Sequence, residues 1–216
     1  MPDQTKLVVV DYGVGNVRSV ANMLLHLGHR ASITSSPELV AQADRVFLPG
    51  VGAWDSAMQN LRTTGLLEAL HHATEQRGVP TLGLCLGMQL LFQSGEEGTL
   101  PGLGFLRGSV TRLPDRTGLR IPHMGWNDVA IERDHKIWDR RHKALEYCDL
   151  EVTSQFYFVH SFHAVCSEQL ILGTTTHGLP FPSVVGRDNL IGAQFHPEKS
   201  HRYGMRFLAN FMEFKP

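Results

Sequence analysis

Three short apolar runs, each closing on a turn or a glycine and each followed by a helical pattern, constrain this 216-residue chain more than any other feature. "KLVVVDYG", "RVFLPG" and "PTLGLC" have the length and composition of strands buried on both faces. After the first, Asn16 stands where it can cap a helix in which Val17, Val20, Ala21, Leu24 and Leu25 recur at helical spacing, with Gly28 as the stop. A short strand is expected at Ala31–Thr34, then a helix in "SSPELVAQA" with Ser36 as cap and Pro37 in the first turn. A further helical region covers about 54–76. Apolar strands separated by helices predict an α/β fold, with a mostly parallel central sheet covered on both faces.

After about residue 104 the texture changes. "GFLRGSVTRL", "DVAIE", "SQFYFVHSFHAV", "LILGTTTHG" and "FPSVVGRDNLIGAQFHP" read as strands joined by turns, so an additional antiparallel region is expected in the second half. A last helix over about 199–213 carries Phe207, Leu208, Phe211 and Met212. With no internal repeat and no low-complexity linker, residues 1–216 read as a single domain. The stretch 132–151, "ERDHKIWDRRHKALEYCDLE", fits a loop, a short helix or both.

Charge and composition exclude more than they assign. Twenty Lys and Arg against 21 Asp and Glu give no electrostatic reason to expect a nucleic-acid or membrane partner. No run approaches the roughly 20 apolar residues of a membrane span. "MPDQTKLVVVDYG" lacks the long apolar core of a signal peptide. Cys85, Cys148 and Cys166 are odd in number and show no CxxC spacing, which argues for a reducing compartment; a cytoplasmic location is expected. Gly13-Val14-Gly15 begins like a dinucleotide fingerprint, but Arg18 occupies the third glycine position. His71 and His72 are adjacent and cannot share a helix face, and there is no H-E-x-x-H. No cofactor and no metal are expected.

The chemistry concentrates in three places. Gly83-Leu84-Cys85-Leu86-Gly87 has the G-x-nucleophile-x-G form of a strand-to-helix elbow, in which side chains beside the nucleophile would clash. The turn exposes the sulfur and aims the N–H groups of the next helix at it, favouring the thiolate. A lone cysteine between apolar neighbours is otherwise a small buried hydrophobe, so a base is required. His196-Pro197-Glu198 closes a strand pattern, and side chains two apart on an extended chain share a side, so Glu198 can reach the imidazole. That is the base-and-orienter half of a triad. Pro49-Gly50-Val51-Gly52 follows a strand and precedes a helix, where free backbone could form an oxyanion hole.

Together these residues resemble the class I, triad-type glutamine amidotransferases: "LPGVGAW", "GLCLGMQLLF" and "GAQFHPEKS" occur in the order of that family. "DYGVGN", "PHMGWN" and "YFVHSF" resemble its branch of imidazole glycerol phosphate synthase glutaminases. The resemblance, running from about residue 6 to 213, implies that Cys85 attacks the amide of L-glutamine, His196 moves the proton and Glu198 orients His196. It implies an oxyanion hole at Val51 and Leu86, and substrate contacts at Gly50, Gly52, Gln89, His160, Ser161 and Phe162. The implied partner is a (β/α)8-barrel cyclase in a heterodimer that takes the ammonia through a tunnel, with Asn16, Trp126, Tyr157 and Lys199 at the interface. Little glutamine should be turned over without that partner.

Phe162 departs from the tyrosine common in the histidine-pathway branch, and "SFHAVC" and "HPEKSHRYGM" are similar to a paralogous branch that supplies ammonia to enzymes amidinating sugars for surface polysaccharide. Two other readings stand beside these: a stand-alone Cys hydrolase on a related scaffold, and a catalytically silent binding or regulatory relative. The His-x-Glu block argues against the first, and the intact Cys85, His196 and Glu198 against the second.

Overall fold

A computed structural model of the chain describes residues 5–115, 118–138 and 153–216. Its strands are β1 (Leu7–Val10), β2 (Ala31–Thr34), β3 (Arg45–Gly50), β4 (Thr81–Cys85), β5 (Ser94–Gly95), β6 (Ser109–Arg112), β7 (His123–Ile131), β8 (Thr153–His160), β9 (Phe162–Val165), β10 (Ile171–His177), β11 (Leu179–Arg187) and β12 (Leu190–Ala193). Its helices are α1 (Val17–His26), α2 (Pro37–Ala41), α3 (Trp54–Thr63), α4 (Leu66–His71), α5 (Leu86–Leu90) and α6 (His201–Glu213).

Nine strands form the main sheet in the order β2-β1-β3-β4-β12-β11-β10-β7-β8, and β5-β6-β9 form a small second one. β1 to β4 and β12 run parallel. From β12 outward through β11, β10, β7 and β8 every pairing is antiparallel. The parallel strands bury alternate residues in opposite directions, as their continuous apolar runs require. Val8, Val10, Val46 and Leu48 join a core with Trp54, Met58 and Leu61 of α3 and Leu66 and Leu70 of α4. Val9, Phe47, Leu82 and Leu84 join one with Val20 and Leu24 of α1 and Phe207, Leu208 and Phe211 of α6.

Several local expectations change. The helical region from 54 breaks at Gly65, whose φ of 74° is left-handed, and ends in a π-turn at His72–Gln76. Asn16 is the N-cap of α1 but makes no side-chain bond to the helix backbone; it accepts instead from Ser19 Oγ at 2.8 Å. Leu25, read as part of the apolar stripe, is 56% exposed. Ser36 caps α2 as expected, accepting from the Leu39 N–H at 3.3 Å. Only Ser109–Arg112 of "GFLRGSVTRL" is strand, whereas β7 starts well before "DVAIE". Within 132–151 a 3-10 turn covers Lys136–Trp138, pinned by Trp138 Nε1 donating to the Leu172 carbonyl at 3.0 Å. Residues 139–152, with Cys148, lie outside the described residues.

Candidate active site

Cys85 closes β4 at φ 53° and ψ −110°, a backbone state that side chains rarely adopt. The flanking glycines make the turn possible. A Cβ on Gly83 would lie 2.6 Å from the Gly87 carbonyl oxygen, and one on Gly87 would overlap the Leu48 carbonyl. The helix that follows, α5, is only five residues long. What it offers the sulfur is the free N–H groups of a first turn rather than a long macrodipole.

Sheet order explains how distant segments converge here. Gly50 of β3 pairs with Cys85 in register, so the Val51–Gly52 loop emerges beside the Cys85 sulfur. On the other side β12 pairs with β4, with Ala193 opposite Leu84, and the chain leaving β12 passes the sulfur. That chain is no longer strand, since β12 ends at Ala193. The His196 N–H bonds the Tyr157 carbonyl at 2.9 Å, fixing the segment against β8.

Glu198 reaches His196, although not by the extended geometry expected from sequence. Pro197–Lys199 form a 3-10 turn that folds the carboxylate back, and His196 Nδ1 donates to Glu198 Oε1 at 2.8 Å. Both side chains are at most 4% exposed. Burial alone would lower the imidazole pKa; Cys85 and Glu198 outweigh it and push His196 up to about 10. Nε2 is buried with no well-formed hydrogen bond among the described residues, and the group it couples to is the Cys85 sulfur.

A cavity of about 230 Å³ opens over the sulfur, lined by Val51, Gly52, Cys85, Leu86, Gln89, Glu97, Val159, His160, Ser161 and Phe162. Thus Val51, Leu86, Gly52, Gln89, His160, Ser161 and Phe162 share one wall system with Cys85. Gly50 does not line it. It packs behind, where a Cβ would overlap the buried Tyr12 hydroxyl and come within 3.0 Å of the Gly87 nitrogen, so its small size serves packing.

The four residues expected at a partner interface also cluster. Trp126 and Tyr157 are cross-strand partners with ring centroids 6.2 Å apart, and Lys199 Nζ lies 5.7 Å from the Tyr157 ring centroid. Trp126 is 45% exposed, Met124 on the same strand 63%, and Asn16 opens the helix that packs on the Pro197–Lys199 turn.

Glu97, Gln194, Tyr12 and His123 belong to the site's surroundings but were not singled out from sequence. Gln194 had a signal, standing two residues before His196 in "GAQFHPE"; Glu97, in "SGEEGTLPG", had none. No group of three or more His, Cys, Asp or Glu among the described residues is placed to hold a metal ion.

A nucleophile elbow, a buried base, its carboxylate and a small cavity are the parts of a thiol acyl-transfer site. The family model for class-I glutamine amidotransferases matches residues 8–214. The chain belongs to this family. Among other amidotransferases, the imidazole glycerol phosphate synthase subunit HisH 2 of Methanococcus maripaludis is 43% identical over 208 residues, 96% of this chain and 98% of that protein. The subunit HisH of Symbiobacterium thermophilum is 47% identical over 95% of this chain and 92% of its own length. The subunit HisH 2 of Pseudomonas aeruginosa is 42% identical, covering 96% and 98%. The fold matches PurLQS from Thermotoga maritima at a TM-score of 0.72 and 16% identity, covering 98% of this chain and 99% of that one. It also matches a glutamine amidotransferase crystal structure at 0.69 and 20%, covering 95% and 99%. No helix of the described residues is long and apolar enough to cross a membrane.

Proposed function

We propose that this amidotransferase is the glutaminase subunit of an imidazole glycerol phosphate synthase, acting in histidine biosynthesis. It hydrolyses L-glutamine to glutamate and hands ammonia to a cyclase. The observation that carries the chemistry is the strained Cys85 facing a buried His196–Glu198 pair at the floor of an amino-acid-sized cavity.

The reaction follows from that geometry. The Cys85 proton passes to His196 Nε2 and the thiolate attacks the side-chain amide carbon of glutamine. The resulting oxyanion is held by backbone N–H groups at Val51 and Leu86. His196 returns the proton to the departing nitrogen, the C–N bond breaks, and a γ-glutamyl thioester and ammonia form. Water, deprotonated by the same imidazole, then attacks the thioester and releases glutamate and the thiol. Glu198 keeps Nδ1 protonated throughout, so Nε2 is the working nitrogen.

The cavity wall suits glutamine. The Gln89 amide donates to the Phe162 carbonyl at 3.0 Å and to Gln194 Oε1 at 3.1 Å. With both of its N–H groups occupied, Gln89 presents its remaining oxygen as an acceptor. Glu97 is the one acidic residue among the cavity's lining residues, and a carboxylate there complements the α-ammonium group of the substrate. Gly52, His160, Ser161 and Phe162 complete the enclosure.

Ammonia released into water at neutral pH would protonate and diffuse away. The exposed face of Trp126, Met124, Tyr157 and Lys199, beside the His196–Glu198 turn, is where a (β/α)8-barrel cyclase would dock to form a heterodimer, with Asn16 at its edge. The relatives named as synthase subunits favour this acceptor. Phe162, and the two relatives designated as a second HisH, keep a sugar-amidinating acceptor as the competing reading. Glutamine labelled with ¹⁵N in its amide, supplied to the complex this chain forms in its own cells, separates them. Label in the imidazole product supports the cyclase; label in an amidinated sugar overturns it.

A further inference from the structure

A single hydrogen-bonded chain runs from strand β7 to the nucleophile, and every proton in it can be placed. Its anchor is the Phe162 carbonyl, which can only accept. His160 Nδ1 lies 2.8 Å from it and must carry a hydrogen. Burial first, then neighbouring imidazoles, pushes His160 down to about 3, so the ring is neutral and its Nε2 is an acceptor. His123 Nδ1, 2.9 Å from that Nε2, therefore donates. His123 is likewise held neutral, pushed down to about 4 by burial and His177. Its Nε2 accepts from Asn127 Nδ2 at 3.0 Å, and the same amide donates to the Thr176 carbonyl at 3.0 Å.

From the other side, Gln89 Nε2 donates to the Phe162 carbonyl at 3.0 Å, which fixes which end of that amide points where. Its second donated bond, 3.1 Å long, obliges the facing atom of Gln194 to be the oxygen. Gln194 Nε2 is thereby turned toward Cys85 Sγ, 3.8 Å away. Gln194 is fully buried, so no water competes for this amide.

We infer that Gln194 is a positioning residue for the nucleophile: its amide, held in one orientation through Gln89 by the Phe162 carbonyl, which also anchors His160, His123 and Asn127, donates to the Cys85 sulfur and stabilises its thiolate. The thiol can instead point its hydrogen at the Val159 carbonyl, 3.8 Å from the sulfur. Losing that proton to His196 leaves the sulfur an acceptor only, and Gln194 is already aimed at it. The titratable groups around the sulfur are His196 with Glu198, the buried Tyr12 hydroxyl, and His160 and Glu97 on the cavity wall. Apart from the backbone, Gln194 supplies a neutral donor among them.

This rests on the reading of Cys85 as the nucleophile, and the test separates the two. In the chain with its partner subunit, the rate of Cys85 alkylation by iodoacetamide is followed against pH by peptide mass spectrometry, for the native protein, Gln194→Met and Gln194→Glu. Methionine matches the length without a donor. Its alkylation midpoint should rise by about one unit and kcat should fall roughly tenfold, the scale of one hydrogen bond to a charged group, with a smaller change in KM. Glutamate keeps the acceptor for Gln89 but sets oxygen against sulfur, and once ionised should displace the midpoint at least as far. If the methionine variant does not fold, the glutamate variant carries the same comparison. A folded variant whose alkylation profile superimposes on the native one overturns the inference. Undiminished turnover in Cys85→Ser would instead remove the nucleophile assignment beneath it.

Discussion

The His196 imidazole and the Glu198 carboxylate meet at 2.8 Å across one 3-10 turn, buried to within a few per cent of complete exclusion from water. A carboxylate two residues away is held rigidly because Pro197 fixes φ at the start of the turn and the Ser200 hydroxyl closes it on the His196 carbonyl at 2.6 Å. Glu198→Gln replaces the charge that favours the imidazolium without removing the volume. It should lower kcat by roughly 10²–10⁴-fold with KM much less affected, as expected for loss of tautomer control. Steady-state kinetics on the partner-bound enzyme check this.

Glu97 faces the substrate cavity as its one acidic lining residue. Glu97→Gln should raise the KM for glutamine by roughly tenfold or more while kcat changes less, since a contact to the α-ammonium group acts in ground and transition states alike. A variant with unchanged KM would remove that assignment.

The elbow's tolerance is decided by backbone, not by flexible side chains. Gly87→Ala places a methyl on the Leu48 carbonyl, and Gly83→Ala places one 2.6 Å from the Gly87 oxygen. The Leu48 carbonyl cannot move without disturbing the β3–β4 pairing, nor the Gly87 carbonyl without disturbing α5. Each substitution should destabilise the fold by about 3 kcal/mol or more. Gly52, where a Cβ would meet nothing, should pay only for its φ of 119°, a smaller loss. Urea unfolding of the three alanine variants orders them.

How much of this was legible from sequence follows from the kind of signal each part left. β1, β3 and β4 are continuous apolar runs between helices, and their doubly covered positions produced that pattern directly. Ser36 and Pro37 opened α2 by chemistry that acts within one turn. Cys85, His196 and Glu198 stood out as candidates because an elbow and a His-x-Glu turn are local motifs. The packing constraint on Gly50 left no mark in its neighbourhood, because it comes from Tyr12, 38 residues away in the chain. Glu97 and His123 gain their places from sheet pairing and loop packing, which no spacing rule encodes. β12 ended earlier than its alternation suggested: Gln194 still donates its N–H to the Ser183 carbonyl of β11 at 2.9 Å, and by His196 the chain bonds β8 instead.

His123 and His160 are held neutral well below the ordinary imidazole range, at about 4 and about 3, so acid should unfold the protein through them. Below pH 6.5 the unfolded chain takes up protons that the folded one refuses, and stability falls as pH falls. Each imidazole contributes up to about 1.4 kcal/mol per pH unit until its folded pKa is reached. Urea midpoints between pH 7 and 4.5 should show this slope, made shallower in His123→Gln by about one imidazole. An equal slope in that variant would contradict the neutral chain.

The proposed reaction puts a Cys85 thioester on the path of glutamine hydrolysis. The most direct measurement is single-turnover glutamate formation by the partner-bound Cys85→Ser variant, with acid-quenched native enzyme searched for a γ-glutamyl adduct by peptide mass spectrometry. A loss of about 10⁴-fold or more is expected in the variant, with the adduct on the native peptide carrying Cys85. Hydrolysis in the variant within tenfold of the native rate would contradict it.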